Sequence, residues 1–298
     1  MTPENMRAPL STASPAVKSI YAALGASLMM AAMSAMIKLS APQIGNEMVV
    51  FLRSGFGLTF LLPGLLHRGI SVLATRRFGD HLARSWSGLA AMYCFFYAIG
   101  HMPLAEAVLL NYSSPIFTAL IAWAWLGERA SLKIFIAIGM GLLGVGLILK
   151  PGEVPWSAAA WVGAISAVLA ALAMVNIRRM SDTEPIFRIV FYFSLISVTT
   201  SAVPLLWTWH TPSLHVLGMM ATAGMLASVG QLLLTYSYST APAARVGTLN
   251  YSTVVFAALI GWALWGERPD AMSAAGAVLI GYAGMLVTKR PPLPSEAD

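Results

Sequence analysis

A few polar and ionisable side chains lie inside long apolar runs of this 298-residue chain, and they have the types and spacing to do chemistry. Arg53 and Glu106 carry charge where charge is costly, so each needs a partner or a ligand. Asn111 and Asn250 place an amide in each of two related runs. Such amides either line a polar cavity or bridge two helices by hydrogen bonds.

Other candidate binding groups are neutral. They are polar or aromatic side chains within the same kind of run: Tyr93, Tyr97, Ser114, Gln231, Tyr236 and Tyr238. An aromatic-rich cavity with a few amides suits a small, partly apolar organic molecule. We expect Arg53 to anchor an anionic group of that molecule. Glu106 is the candidate for proton coupling, with an ion pair to Arg53 or Lys38 as the alternative.

No enzyme constellation appears in the sequence, which lacks His-Glu-x-x-His, Gly-x-Ser-x-Gly and a Walker loop. A membrane-embedded lipid-modifying enzyme would have to use His101, His210 and His215, which lie near run ends. A non-transporting subunit or receptor is the other alternative. We predict no catalytic residue, no cofactor and no metal site.

The elements that position these groups are repeated. Residues 111–113 (Asn-Tyr-Ser) return at 250–252, and residues 127–129 (Gly-Glu-Arg) return at 266–268. Self-similarity at one offset indicates an internal repeat. Each copy contains an apolar run of about 20 residues, long enough to span a bilayer. A repeat around a polar site at the bilayer midplane is typical of secondary transporters. We interpret the Gly-Glu-Arg turns as structural, with Glu128 and Glu267 favoured by the dipole of the helix that follows each.

Composition supports a membrane protein. Hydrophobic residues make up 58% of the chain, charged residues 10%, and the mean hydropathy is +0.73, whereas soluble domains are about 25% charged. The net charge of +6 resides mainly in short loops and at run ends, so it predicts orientation rather than nucleic-acid binding. The single cysteine, Cys94, allows no intramolecular disulfide.

The predicted fold is an all-α integral membrane protein with ten transmembrane helices. The expected spans are 18–40, 46–66, 83–101, 103–126, 131–150, 156–178, 184–207, 213–239, 242–265 and 270–288. Basic residues, Arg84 among them, concentrate on one side if the N-terminus is cytoplasmic. The fourth and ninth spans then run in opposite directions, so the five-helix halves are inverted repeats. Glycine-rich fifth and tenth spans favour close helix packing, and Lys38 and Arg245 could snorkel to the interfaces.

The expected organisation is a disordered cytoplasmic tail (1–16), two repeats (17–150 and 151–290) and a second cytoplasmic tail (291–298). The chain would be multi-pass in the cell inner membrane, with both termini cytoplasmic. Its expected partners are the lipid bilayer and a small-molecule substrate. It would be a monomer or a homodimer, because the repeats can supply a pseudo-dimer within one chain.

Short motifs along the whole chain resemble the drug/metabolite transporter superfamily, EamA type. These motifs are residues 51–53 (Phe-Leu-Arg), 95–98 (Phe-Phe-Tyr-Ala), 103–105 (Pro-Leu-Ala), 114–117 (Ser-Pro-Ile-Phe) and 126–128 (Leu-Gly-Glu), with a copy at 265–267. The motifs look most similar to those of bacterial S-adenosylmethionine and riboflavin uptake carriers. The resemblance implies a cavity walled by spans 1–4 and 6–9, and alternating access. The substrate would be an amino acid, S-adenosylmethionine, riboflavin or a similar metabolite, with export of drugs or toxic metabolites as the alternative.

Overall fold

The structure is a computed structural model that describes residues 15–126, 136, 139–141, 143–144, 147, 158–180, 183–240, 249–250, 252–268 and 270–288. Apart from a short 3-10 helix at Ile70–Leu73, its regular elements there are nine α-helices, without a strand. They are α1 Pro15–Arg68, α2 Phe78–His101, α3 Leu104–Asn111, α4 Ser114–Leu126, α5 Ala158–Met180, α6 Ile186–Thr208, α7 Leu214–Thr240, α8 Ser252–Trp265 and α9 Ala271–Thr288.

Helix α1 is divided at Gly45, whose φ of 72° and ψ of 164° are not helical. Glycine adopts a positive φ without the steric cost that a Cβ would impose. Pro42 precedes it and cannot donate a backbone hydrogen bond to the preceding turn. The result is a first arm (residues 15–44) and a second arm (residues 46–68), which correspond to predicted spans 18–40 and 46–66.

The two arms of α1 run in opposite directions along α7. Four contacts establish this: Ser19 with Ser237, Ser40 with Met219, Arg53 with Gly224, and Gly57 with Ser228. Along the first arm, increasing residue numbers contact decreasing residue numbers on α7. Along the second arm, increasing residue numbers contact increasing residue numbers on α7. Helix α1 is therefore a helical hairpin packed on α7.

Predicted span 103–126 is not one helix, because it is interrupted between α3 and α4. Helix α3 ends at Asn111, and α4 begins at Ser114. Pro115 lacks the N–H that would bond to the Asn111 carbonyl in a continuous helix. The interruption follows from the proline and lies next to the amide of Asn111.

Helices α5 to α9 match predicted spans 156–178, 184–207, 213–239, 242–265 and 270–288 where they are described. Most of span 131–150, the start of span 242–265, Glu128, Arg245 and nearly all of both predicted tails lie outside the described residues. Within predicted spans 131–150 and 270–288, a Cβ on Gly144 would lie 2.8 Å from the Gly276 carbonyl oxygen. The expected close glycine packing is confirmed at this point.

Several described helices are long and apolar enough to cross a membrane. The qualifying stretches are Lys18–Arg68, Ala158–Ile177, Ile186–Thr208 and Leu214–Leu234, and shorter apolar helices lie at Ser252–Trp265 and Ala271–Ala283. Large apolar side chains face outwards, with Leu214 87% and Trp207 78% exposed. Such an apolar exterior is what a lipid-facing surface requires.

Helices from the two halves of the chain interleave. Helix α1 packs most extensively against α7 and also against α6 and α8, while α2 packs mainly on α5. Helix α3 contacts both α5 and α8. The largest buried cluster accordingly draws residues from α1, α2, α3, α6, α7 and α8. The candidate polar residues are thus surrounded by helices of both halves.

Candidate functional site

The second arm of α1 and helix α2 are held in register by a hydrogen bond. The side-chain amide of Asn46 donates to the Tyr93 carbonyl at 3.0 Å. The Tyr93 hydroxyl itself is buried and has no hydrogen-bond partner among the described residues. A buried hydroxyl without a partner is costly, so it is a group available to a ligand.

Arg53 lies on the same arm and is 6% exposed. Its Nε has no hydrogen-bond partner in the described part of the chain. The predicted ion pair with Glu106 is wrong, because the Glu106 carboxylate accepts a hydrogen bond at 2.7 Å from the Ser273 hydroxyl of α9. Arg53 is therefore a buried cation without a protein counter-charge among the described groups.

A second buried arginine was missed by the sequence reasoning, which treated Arg84 as an orientation charge. It is 4% exposed, and its Cζ lies 3.8 Å from the centroid of the Phe193 ring. Nε and Nη1 have no hydrogen-bond partner among the described residues. One signal was present: Gly88 follows one turn later, and a Cβ there would lie 2.7 Å from Nη1. The glycine makes room for the guanidinium group.

Asn111 bridges two helices, which is the alternative role for an amide at this depth. Its Nδ2 donates to the Ser166 hydroxyl of α5 at 3.0 Å, and that hydroxyl donates to the Gly163 carbonyl at 2.6 Å. Ser114 is half-buried at the start of α4, where its carbonyl accepts the Thr118 hydroxyl at 2.9 Å. Solute binding by Asn111 and Ser114 stays a prediction.

The remaining predicted site residues differ in burial. Gln231 and Asn250 are half-buried, Tyr236 is 42% exposed, and the side chain of Tyr238 lies outside the described part. The Tyr97 ring stacks on His101 with centroids 4.2 Å apart. The structure thus brings Arg53 and Tyr93 onto adjacent helices and ties Tyr97 to the end of α2. The binding roles of Tyr97, Gln231, Tyr236, Tyr238 and Asn250 stay predictions.

Lys38 and Glu267 form an ion pair at the end of the bundle where α2 finishes. Lys38 also donates to the Met102 carbonyl at 3.0 Å. The second oxygen of Glu267 accepts the Leu104 backbone N–H at 2.8 Å, at the first residue of α3. The expected pairing of Lys38 with Glu106 is therefore wrong, and so is the expected placement of Glu267 at the helix that follows it.

Local chain geometry explains the position of Glu267. Gly266 has a φ of 68°, so the chain turns sharply after α8. Gly261 has no side chain, and a Cβ there would lie 2.8 Å from the carboxylate. The carboxylate consequently turns back to the N-terminus of α3, where a negative charge is favoured. It joins the first arm of α1, the α2–α3 junction and the end of α8.

A second polar cluster lies at the other end of α2. The Glu184 carboxylate accepts hydrogen bonds from Arg188 at 2.8 Å and Thr75 at 2.9 Å, and it contacts His81 Nε2 at 3.2 Å. Burial favours the neutral acid, but these partners outweigh it and hold the pKa of Glu184 below its ordinary value. The cluster ties the segment before α2 to the segment before α6.

Arg77 and Asp80 extend this second cluster. Arg77 Nε bonds the Asp80 carboxylate at 2.8 Å, and Arg77 Nη1 donates to the Arg179 carbonyl at 2.7 Å. Several basic residues that the sequence reasoning placed together on one side thus meet at one end of the bundle. Charged groups that bridge helices thus lie near both ends of α2.

Comparison with known proteins decides the family. The EamA-like transporter family matches residues 17–150 and again residues 157–289, which together cover most of the chain. The chain belongs to the EamA-like transporter family. As a member of this family of membrane transporters it is a transporter rather than an enzyme, and a small molecule is its substrate.

Named relatives of this EamA-like chain include exporters and uptake carriers. A pseudopaline exporter of Pseudomonas aeruginosa is 35% identical over 264 residues, which cover 88% of this chain and 92% of the relative. An S-adenosylmethionine uptake transporter of Rickettsia bellii is 24% identical over 232 residues, covering 78% and 80%. A riboflavin transporter of Rhizobium johnstonii is 27% identical over 240 residues, covering 80% of each chain.

The fold is also shared with a solved protein. One crystal structure matches with a TM-score of 0.66 at 19% identity, covering 91% of this chain and 96% of the other. This likeness concerns the fold alone. The overall helical architecture therefore occurs outside this chain.

Proposed function

We propose that this EamA-like protein is a secondary transporter that exports a small organic metabolite across the cell inner membrane by alternating access. The observation that carries the direction is the 35% identity to an exporter across nearly the full length of both chains. Uptake of an amino acid, S-adenosylmethionine or riboflavin is the second candidate. A relative named as an S-adenosylmethionine uptake transporter, 24% identical, supports the uptake direction, and a riboflavin transporter, 27% identical, supports riboflavin as a solute.

The proposed topology has ten spans in two inverted five-helix repeats, residues 17–150 and 151–290, with both termini cytoplasmic. The two family matches support the repeat boundaries. The basic residues at the Arg77 and Arg179 end support a cytoplasmic location for that end. The Lys38–Glu267 end would then face outwards.

Alternating access assigns a role to the charged clusters at the two ends. In the proposed cycle the Lys38–Glu267 pair separates when the site opens outwards. The Glu184 and Arg77 contacts loosen when it opens inwards. The helices that these clusters join, α1, α2, α3 and α8 at one end and α2, α5 and α6 at the other, surround the candidate residues. A change at either end would thus open a path to the same site.

Within that site, Arg53 would anchor an anionic group of the solute. Asn111, Asn250, Ser114 and Gln231 would supply hydrogen bonds, and Tyr93, Tyr97, Tyr236 and Tyr238 would supply contact area. Glu106 stays a candidate for proton coupling. Support for Arg53 comes from its burial without a described counter-charge, since such a cation at membrane depth needs a partner.

The direction of transport is tested in cells and in everted inner-membrane vesicles. Cells that express the protein and cells that lack it are compared by mass spectrometry of the medium, with pseudopaline, S-adenosylmethionine, riboflavin and amino acids as defined solutes. Export predicts protein-dependent release by cells and protein-dependent uptake by everted vesicles. Uptake by intact cells with no entry into everted vesicles would contradict export and favour the second candidate.

A further inference from the structure

Two arginines in this structure are buried without a described protein counter-charge. Arg53 is 6% exposed and Arg84 is 4% exposed, and nitrogens of both guanidinium groups have no hydrogen-bond partner among the described residues. A buried cation without a partner is strongly unfavourable in a protein interior. Two such cations on adjacent helices need an explanation beyond stability.

Helix register places the two arginines at similar depth. The Asn46–Tyr93 hydrogen bond fixes the level of the second arm of α1 against α2. Arg53 follows Asn46 by seven residues and Arg84 precedes Tyr93 by nine, which is ~10 Å and ~13 Å along the two helices at 1.5 Å per residue. Because the helices run antiparallel, both distances point the same way. The two Cα atoms therefore differ in depth by only ~3 Å.

Helix α6 packs on the Arg84 member of this pair. The Phe193 ring lies on the Arg84 guanidinium, and Gly88 leaves the space that the guanidinium occupies. One helical turn beyond Phe193, Ser197 presents a buried hydroxyl with no hydrogen-bond partner in the described part. An aromatic face orients a guanidinium but does not neutralise its charge. Donors thus accumulate where α1, α2 and α6 meet, with no described acceptor opposite them.

Carboxylates that could neutralise the pair are engaged elsewhere or lie away from it. Hydrogen bonds and ion pairs account for these acids of the described chain: Asp80 with Arg77, Glu106 with Ser273, Glu184 with Arg188, Glu267 with Lys38, and Asp270 with the Ser273 backbone. Glu47 is half-buried near the start of the second arm, six residues and ~9 Å along the helix from Arg53. It forms no described ion pair with either arginine.

We infer that Arg53 and Arg84 form one anion site that takes a small solute with two separate negative groups, such as a dicarboxylate. This inference rests on the proposed transport function and narrows its substrate class. A guanidinium binds a carboxylate through two parallel hydrogen bonds, so two guanidinium groups match two carboxylates. A solute with one negative group would leave one buried cation unpaired.

Matched ligands test the inference directly. Purified full-length protein is titrated with succinate, glutarate and adipate, and with the monoamide of each, while its thermal stabilisation is followed. We expect the dissociation constant of the best dicarboxylate to be at least tenfold lower than that of its monoamide. Inorganic phosphate, which carries its charge on one group, should bind no more tightly than the monoamides.

Variants at three arginines identify the residues responsible. Arg84→Gln and Arg53→Gln should each remove the dicarboxylate preference, and Arg84→Lys should retain part of it because the charge remains. Arg68→Gln is the matched control, since Arg68 also stacks on a phenylalanine of α6 but is exposed at the end of α1. Size-exclusion profiles and melting temperatures without ligand identify variants that fail to fold. If Arg84→Gln does not fold, the dicarboxylate preference of Arg84→Lys is compared with that of the wild type instead.

The possible results separate this inference from the transport proposal. Equal affinity of the wild type for dicarboxylates and monoamides, tighter binding of phosphate, no stabilisation by any dicarboxylate, or an unchanged preference in folded Arg84→Gln would each overturn the two-arginine site. If liposomes containing the protein still move a neutral or singly charged solute, the transport proposal stands without it. Absence of flux for every solute tested would instead overturn transport.

Discussion

Replacing Glu267 by glutamine removes the negative charge that Lys38 and the N-terminus of α3 share at one end of the bundle. The glutamine oxygen can still accept the Leu104 N–H, so the substitution changes mainly charge. The two side chains of the ion pair are 14% and 19% exposed. Leaving Lys38 unpaired at this burial costs less than the ~3–5 kcal/mol typical of a fully buried pair, and the lost helix-dipole interaction adds ~0.3–1 kcal/mol.

We expect the closed form of this end to lose about 2 kcal/mol relative to the open form, somewhat under the fully buried range. Since 1.36 kcal/mol corresponds to a tenfold change, the opening equilibrium should rise by ~30-fold. The structure also offers a reporter position, because Met102 is half-buried next to the pair and bonds Lys38 through its backbone carbonyl, which a cysteine would keep. A cysteine at position 102, in a chain whose Cys94 is replaced by serine, would report opening by its rate of reaction with a membrane-impermeant maleimide.

The labelling rate of the Glu267→Gln variant should exceed that of the parent by one to two orders of magnitude. Lys38→Met should have a similar effect, and the double variant should add little to either, because the two groups act as a pair. Asp80→Asn is the matched control, since it breaks an ion pair at the opposite end of the bundle. Equal labelling rates for the parent and Glu267→Gln, with unchanged melting temperatures, would refute the reasoning.

Three further experiments test other parts of the structure. The pKa of Glu184 is lowered in the folded protein, so this carboxylate stabilises the fold above its ordinary pKa of 4.5, and that stabilisation is lost as the pH falls through the folded pKa. Melting temperatures at pH 3–6 should show this acid sensitivity in the wild type and much less of it in Glu184→Gln. Asn111→Ala and Ser166→Ala should each cost ~1 kcal/mol through one interhelical hydrogen bond, and a greater loss of solute flux in Asn111→Ala would reveal a binding role that equal losses would deny. Gly224→Ala would place a methyl 2.8 Å from a backbone nitrogen of α1 and should destabilise by ~1–3 kcal/mol, whereas Gly218→Ala, which meets nothing within 4 Å, should be neutral in the same unfolding assay.

The apolar runs and their repetition predicted the described helices well, because length and periodicity are local properties of the chain. One span was expected over residues 103–126, although Pro115 accounts for the break after Asn111, since a missing N–H has the same consequence in any fold. The sequence predicted two separate spans on either side of Gly45 but not the form of the connection between them. A glycine alone does not show whether two helices are joined by a sharp kink or by a loop. Described helix bounds generally lie within a few residues of the expected spans.

Residue partners were predicted less well, because they depend on which helices meet. Glu267 was expected to stabilise the helix that follows it, but the turn at Gly266 directs its carboxylate to α3. Glu106 was expected to pair with a cation, but α9 brings Ser273 to it. Arg84 was taken for an orientation charge because it lies near the start of its span. Only the packing of α6 against α2 shows that it is buried under Phe193.

The most direct test of the account is solute exchange by the purified protein alone in liposomes. Liposomes loaded with unlabelled solute are given labelled solute outside, and counterflow is measured for the wild type, Arg53→Gln and the exposed control Arg68→Gln. The account predicts saturable, protein-dependent exchange that Arg68→Gln retains and folded Arg53→Gln loses by at least tenfold. Exchange that persists unchanged in Arg53→Gln would contradict the site, and a wild type that exchanges none of the solutes would contradict transport itself.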